Sequence, residues 1–277
     1  MHNLLFLLGA ADVEMMSVAT GLDRLGIAYK MATFGGQLVL ASQAYKADGL
    51  TIEDVTGKVL VTVECSDALG IQSCATRVAL DHHNSGDPGY GKPPEMYREA
   101  SSIGQVISYL SGLGVDGDAL AAAFPNWEMV AAGDHCPAAA FLGKCPGIEV
   151  ERFREFRLLG AATFQKMDVE VLRAEILAAI DKLMALPVIT HKGVSWRDSI
   201  GAEIKQLNHA TSWTAIPCAY SMAQRDGRTK VGIIGSDEPA VVSAWMEYYS
   251  DKLVDMYGDP ARGFAGGYLP APSTASG

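Results

Sequence analysis

Short apolar runs that stop at a carboxylate recur in the first half of the chain. The clearest cases are residues 4–8 ahead of Asp12, 58–63 ahead of Glu64 and 78–80 ahead of Asp81. Such runs are typical of buried strands in a parallel sheet, where functional side chains collect at the carboxyl ends. The pattern therefore predicts an α/β domain in which these three acidic positions share one edge of a sheet.

Apolar residues at helical spacing separate and follow these strands. Helices are predicted after Asp12, from about residue 101 and over 117–123, with a second strand over 28–34 that passes through Gly35 and Gly36 into a helix. Further along, the pattern predicts strands over 215–222 and 230–234, a hairpin turn over 224–228, a helix from Pro239 and a glycine-rich loop over 263–267.

The middle of the chain is predicted to consist of two consecutive helices, which suggests a boundary between domains. Helices are predicted over 149–159 and, with Asp168 as the N-cap, over the stretch that ends near Pro187. We interpret the pair as a connector, with a helical dimer face as the alternative. The predicted organisation is a parallel-sheet α/β domain (1–147) with helices on both faces, a helical connector (148–187) and a smaller C-terminal α/β domain (188–277).

Composition narrows the class of partner. The 277 residues carry 22 basic and 32 acidic side chains, for a net charge of −10, and 49% are hydrophobic. This balance disfavours binding to long duplex nucleic acid, which depends on many basic contacts to phosphates. Five cysteines without a CxxC pair favour a reducing, cytoplasmic compartment, and the short apolar start predicts neither a signal peptide nor a membrane span.

Candidate chemistry is concentrated where the predicted strands end. Asp81, His82 and His83 offer oxygen and nitrogen donors of the kind that bind manganese, iron or zinc. Asp12 and Glu14 lie two residues apart at the first strand-to-helix corner. The alternatives are a polar surface turn for the triplet and a plain helix cap for Asp12.

A fourth cluster, Asp134 and His135, follows the apolar segment 127–132. Its alternative is an aspartate that caps a turn ahead of Pro137. Three strand-end acids at corresponding positions nevertheless favour one shared site over unrelated turns.

The order of these clusters resembles the DHH phosphoesterase superfamily, which is named after an Asp-His-His triplet. That superfamily includes family II inorganic pyrophosphatases, single-strand exonucleases, oligoribonucleases and cyclic dinucleotide phosphodiesterases. The resemblance covers the first half of the chain and is carried by the early acidic pair, the Glu64-Cys65-Ser66 run, the triplet, the Ser-Ser-x-Gly-Gln run at 101–105 and Asp134.

The resemblance implies a pair of divalent ions, usually Mn²⁺, with Mg²⁺, Fe²⁺ or Zn²⁺ as alternatives. It assigns Asp12 to the first ion, Glu14, His82 and Asp134 to the second, Glu64 to both, His83 to the phosphate and Asp81 to orienting the histidines. Two such ions would activate a water for in-line attack on phosphorus.

This chain departs from the family at several positions. Leu8 stands where the first motif normally has a histidine, and Glu14 and Glu64 replace aspartates, so the first metal site is expected to be weak. His135 or His2 are candidates to substitute for the missing ligand.

The C-terminal segment is similar to the DHH-associated domain but lacks the histidine of its glycine loop. Gly266 and Gly267, with Arg225 or Arg228, are the expected contacts to substrate phosphate. The alternative is solvated hairpin arginines and a flexible glycine tail.

These expectations combine into one predicted function. The chain is predicted to be a metal-dependent phosphoesterase, or phosphodiesterase, that acts on a short oligoribonucleotide or a linear or cyclic dinucleotide held between its domains. A pyrophosphatase is a lesser option, and a catalytically degenerate nucleotide-binding protein is the rival. No membrane partner is expected, and a homodimer is compatible with the sequence.

Overall fold

The computed structural model describes residues 3–74, 76–224 and 227–270. They form two compact units: one contains the chain up to Lys92 with Met96–His135, and the other contains Pro93–Glu95 and the chain from Cys136 onward. Each unit has its own sheet. The predicted α/β class, with a parallel sheet in the first half and a second α/β unit after it, is confirmed. The roles predicted for the segments 1–147, 148–187 and 188–277 stay predictions.

The first unit is built on a parallel sheet. The strands of this unit are β1 (Leu4–Leu8), β2 (Tyr29–Met31), β3 (Thr33–Phe34), β4 (Gln37–Leu38), β5 (Val59–Val63) and β6 (Thr76–Leu80), of which β3 and β4 form a separate two-stranded sheet. The parallel sheet has the order β2-β1-β5-β6. Its register pairs Leu8 with Val63 and Val63 with Leu80, so the carboxyl ends of three strands are level.

The first unit also contains helices. They are α1 (Val13–Leu25), α2 (Ile52–Val55), α3 (Ala68–Ser73), α4 (Tyr97–Ala100), α5 (Ser102–Gly112), α6 (Gly117–Ala123) and α7 (Trp127–His135). N-caps are present at Asp12 for α1, as its alternative expects, at Ser101 for α5 and at Asp116 for α6, where each side chain accepts from a backbone N–H of the first turn. The N-termini of α1 and α5 are thereby fixed beside the strand ends.

The helix predicted after Gly35 and Gly36 is wrong. Both glycines have positive φ, +57° and +76°, and they form the turn of the hairpin β3–β4. Two consecutive left-handed residues match the twist of a hairpin, so the pair continues the chain as a strand. A 3₁₀ segment, Ala41–Lys46, then follows.

The second unit combines a helical layer with a mixed sheet. Its elements are α8 (Pro137–Phe141), α9 (Val150–Gln165), α10 (Val169–Ala185), β7 (Val188–His191), β8 (Val194–Asp198), α11 (Leu207–Thr214), β9 (Cys218–Ala223), β10 (Thr229–Ile234), α12 (Pro239–Tyr249), β11 (Val254–Asp259) and β12 (Phe264–Tyr268). The sheet order is β11-β12-β10-β9-β8-β7. Among the described residues, no helix is both long and apolar enough to cross a bilayer.

The glycine-rich loop predicted over 263–267 is also wrong. Gly266 and Gly267 lie inside β12, which pairs with β10 on one side and β11 on the other. These glycines therefore belong to a paired strand and not to a loop, and the phosphate contacts predicted for them stay a prediction.

Candidate metal centre

Four side chains predicted as metal ligands converge at the carboxyl edge of the parallel sheet. Ligand atoms of Glu14, Glu64, His82 and Asp134 all lie within 4.8 Å of one another. Ligand atoms of Glu64, His82 and His83 form a second group whose members also lie within 4.8 Å of one another. Positions that lie up to 120 residues apart in the sequence therefore meet within the reach of one cation.

Glu64 sits at the centre of this cluster. It follows β5 directly, and its φ of +52° places a non-glycine residue in the left-handed region, which costs about 1–2 kcal/mol. The neighbouring strand end has to be glycine, because a Cβ on Gly9 would lie 2.7 Å from the carbonyl oxygen of Glu64. Ser102 donates to Glu64 Oε1 at 2.8 Å and so fixes that carboxylate from the start of α5.

Glu14 projects into the cluster from the first turn of α1 and is 1% exposed. Its Oε1 accepts from the backbone N–H of Ile103 at 3.0 Å, whereas no donor of the described residues reaches its buried Oε2. Burial, with the charges of Asp134 and Glu64, raises the pKa of Glu14 well above its ordinary value. A divalent cation would supply the missing partner for Oε2.

His82 is completely buried and faces two carboxylates. Its Nε2 lies 3.2 Å from Glu64 Oε1 and 3.0 Å from Asp134 Oδ2. Its Nδ1 lies 3.3 Å from Nδ1 of His135, whose Nε2 lies 2.9 Å from the carbonyl oxygen of Lys92.

The Lys92 carbonyl selects one tautomer of neutral His135 and, through it, one tautomer of neutral His82. A carbonyl only accepts, so His135 carries its proton on Nε2 and, when neutral, accepts at Nδ1 from His82. Neutral His82 then directs the lone pair of Nε2 toward the two carboxylates. That lone pair is in position to bind a metal held between them. His135 uses both ring nitrogens here and so orients His82; its predicted role as a substitute for the ligand missing at Leu8 stays a prediction.

Asp81 organises the backbone beside the cluster. Its Oδ1 accepts from the backbone N–H groups of His82 and His83 at 2.7 and 3.0 Å and faces His83 Nδ1 at 3.0 Å, while Oδ2 accepts from the hydroxyl of Tyr45 at 2.8 Å. Burial alone would raise the pKa of Asp81, but the hydrogen bonds from His83 and Tyr45 lower it. Asp81 is therefore a carboxylate that holds the turn and the His83 ring. Gln105 clamps the same turn, since it bonds to both the N–H and the C=O of Asp81.

Asp12 stands apart from the four-residue cluster. Its Oδ1 caps α1 by accepting from Met15 N at 2.9 Å. Desolvation and the charges of Glu64 and Asp134 raise the pKa of Asp12 to about 6. The capping role given as its alternative is thus present, and a metal role for the second oxygen stays a prediction.

The donor set fits a divalent metal. Three carboxylates and one imidazole form the oxygen-rich, nitrogen-containing set preferred by Mn²⁺ and Fe²⁺ and tolerated by Zn²⁺. Three acids crowded around a buried imidazole are costly without a cation, because like charges in a desolvated site repel.

Of the two arginines predicted to contact substrate, the structure describes Arg228. Arg228 stacks over the ring of Tyr268 at 3.9 Å in the second unit. Arg225, like His2, lies outside the described residues.

Sequence reasoning missed Tyr45 and gave His135 a different role. Tyr45 lies in a 3₁₀ segment with no motif around it, so nothing local marks it. In the sequence, Ser102 and Gln105 are recognisable only as part of a helix start. The Ser-Ser-x-Gly-Gln run nevertheless indicates that this helix belongs to the site.

No family model matches the chain, and no curated protein matches it. Among solved structures, it is similar to the pGpG-specific phosphodiesterase PggH of Vibrio cholerae, with a TM-score of 0.44 and 9% sequence identity. The match covers 96% of this chain and 93% of that chain.

Proposed function

We propose that this protein is a divalent-metal-dependent phosphoesterase that hydrolyses a small nucleotide. The substrate class is a short oligoribonucleotide or a linear or cyclic dinucleotide, and the metal is Mn²⁺. The observation that supports the proposal is the convergence of Glu14, Glu64, His82 and Asp134 within 4.8 Å at the end of a parallel sheet.

Each side chain has a distinct part in the proposed reaction. Divalent ions held by the carboxylates and His82 would supply Lewis-acid stabilisation of phosphoryl oxygens and a water of lowered pKa. His83 has a side chain 39% exposed and is held through Nδ1 by Asp81, so in the protonated ring Nε2 is the candidate donor to a substrate phosphate. Asp81 keeps that ring in place as an acceptor.

The test is hydrolysis of a panel of dinucleotides and of bis(4-nitrophenyl) phosphate in Mn²⁺. We expect turnover that is abolished by EDTA, restored by Mn²⁺ and lost in Asp81→Ala and His82→Ala. His191→Ala, which removes an imidazole packed on Tyr248 in the second unit, is the matched control and should keep full activity. Turnover that persists in EDTA or in His82→Ala would reject the proposal.

A nucleotide-binding protein with a degenerate site is the second candidate. It is favoured by Leu8, which is fully buried where the family has a histidine, and by Asp12, which spends one oxygen as a helix cap. Tight nucleotide binding without turnover in any divalent metal would select this candidate. The cytoplasmic location and the homodimer stay predictions from the sequence.

A further inference from the structure

One face of the six-stranded sheet of the second unit packs in the hydrophobic core. The other face carries tyrosines and a lysine. Val231 and Ile233 of β10 pack in the core with α12. Because strand residues alternate, Lys230 and Gly232 lie on the opposite face. The register places further residues beside them, namely Tyr268 and Gly266 of β12, Met222 and Tyr220 of β9, and Tyr257 of β11. We call Tyr220, Lys230, Tyr257 and Tyr268 the tyrosine face.

Two glycines allow the tyrosine rings to lean inward over the sheet. A Cβ on Gly232 would lie 2.9 Å from the ring of Tyr220, and a Cβ on Gly266 would lie 2.8 Å from the hydroxyl oxygen of Tyr257. β10 and β12 are neighbours, with β9 and β11 outside them. Tyr220 and Tyr257 therefore lean toward each other from the two flanking strands.

Lys230 lies between these two tyrosines. Its ammonium is 5.4 Å from the centroid of the Tyr257 ring. Burial alone would lower the pKa of Lys230, but the nearby hydroxyl groups of Tyr257 and Tyr220 raise it overall. No carboxylate of the described residues forms an ion pair with Lys230, which is half-buried and lies 5.4 Å from the Tyr257 ring centroid. This position suits Lys230 to bind an anion.

A cavity adjoins the tyrosine face at Tyr220. It has a volume of about 550 Å³ and is bounded by Tyr220 and Met222 on one side and by residues 199 and 202–209 on the other. This volume is within the range of small-molecule sites. The wall includes His209, whose pKa is lowered by burial and by Arg157, and two side chains of opposite charge, Glu203 and Lys205.

We infer that the tyrosine face and this cavity bind one nucleotide unit, with the phosphate on Lys230 and the base against the Tyr220 ring. An ammonium group binds phosphate as a point charge, and an aromatic ring stacks on any base. The choice of a nucleotide as the ligand rests on the proposed function. The glycines of β12 and β10 then admit the tyrosine rings and do not themselves contact the anion.

The experiment measures binding of AMP, adenosine and inorganic phosphate to the full chain by titration calorimetry in EDTA, so that the candidate metal centre takes no part. Lys230→Gln should weaken AMP binding about tenfold and leave adenosine binding unchanged, because it removes a charged hydrogen bond to phosphate. Tyr220→Leu should weaken AMP and adenosine by similar factors of about tenfold. Tyr220→Phe keeps the ring on Gly232 and should retain adenosine binding.

The matched control is Lys252→Gln, which removes a lysine that lies 3.6 Å over the ring of Tyr248 in the same unit. It should bind AMP like the wild type. The inference is overturned if wild type does not bind AMP, if Lys230→Gln and Tyr220→Leu stay within twofold of wild type, or if Lys252→Gln loses as much affinity. The first two results would mean that the tyrosines only cover strand glycines.

Hydrolysis separates this inference from the proposed function. If no phosphodiester is hydrolysed by wild type, the proposed function fails, whereas the AMP titration in EDTA still decides the tyrosine face.

Discussion

Replacing Glu14 by glutamine is expected to change stability in opposite directions with and without metal. Glu14 is buried, its Oε2 has no donor among the described residues, and two other acids raise its pKa. In Glu14→Gln the amide oxygen keeps the bond from Ile103 N, and the amide NH₂ becomes a donor to a neighbouring carboxylate. The metal-free protein should therefore be stabilised, while the candidate metal centre loses one ligand.

The contacts of Glu14 set the size of the expected change in unfolding free energy. Satisfying a buried polar group that lacks a partner contributes about 1–3 kcal/mol, so metal-free Glu14→Gln should unfold at a higher temperature than wild type at pH 8. With Mn²⁺ at a hundred times its Kd, wild type gains about 2.7 kcal/mol from binding. A variant with affinity about 100-fold lower gains only about 0.4 kcal/mol under the same conditions.

The assay is thermal unfolding at pH 8, in EDTA and in a series of Mn²⁺ concentrations. Glu53→Gln, an exposed acid in the first turn of α2, is the matched control and should behave like wild type in both conditions. A Glu14→Gln protein that is less stable than wild type in EDTA and keeps the full Mn²⁺ shift would refute the placement of Glu14 at a metal.

Three further predictions follow from the site. His135→Phe removes the acceptor for His82 Nδ1, so Mn²⁺ affinity measured against a chelating dye should fall about 10–100-fold; unchanged affinity would contradict the tautomer assignment. Partial desolvation raises the pKa of Asp12 to about 6. Protonation of Asp12 should therefore increase the free energy of unfolding of the metal-free protein as the pH falls from about 6 to about 4. In contrast, the Mn²⁺-induced rise in Tm should shrink as pH falls through about 6, and a rise constant from pH 8 to 5 would disagree. Tyr45→Phe removes the hydroxyl that donates to Asp81 at 2.8 Å; urea unfolding should show a loss of about 1–3 kcal/mol, and an unaltered midpoint would exclude that bond as a stabilising contact.

The sequence predicts the edge of the first sheet well because its signals are local. Each apolar run ends at a residue that the strand register then aligns, as Leu8, Val63 and Leu80 illustrate. Helix caps such as Asp116 and Asp168 are equally local, since they bind backbone amides two or three residues ahead. Such features depend on neighbours in the chain and not on tertiary contacts.

Features that depend on tertiary partners were missed or mistaken. The bond from Tyr45 to Asp81 spans 36 residues, and the pairing of His82 with His135 spans 53. Gly266 has the local character of a loop residue, but pairing on both sides makes it part of a central strand. No periodicity in the sequence contains information about which strand lies beside another.

Equilibrium dialysis against Mn²⁺, followed by metal analysis of the protein, tests the central claim most directly. Wild type should retain at least one Mn²⁺ per chain, whereas Glu64→Gln, which alters the carboxylate at the centre of the cluster, should retain much less at the same free metal concentration. Wild type that binds no Mn²⁺, or Glu64→Gln that binds it as well as wild type, would contradict the claim that these side chains form a metal centre.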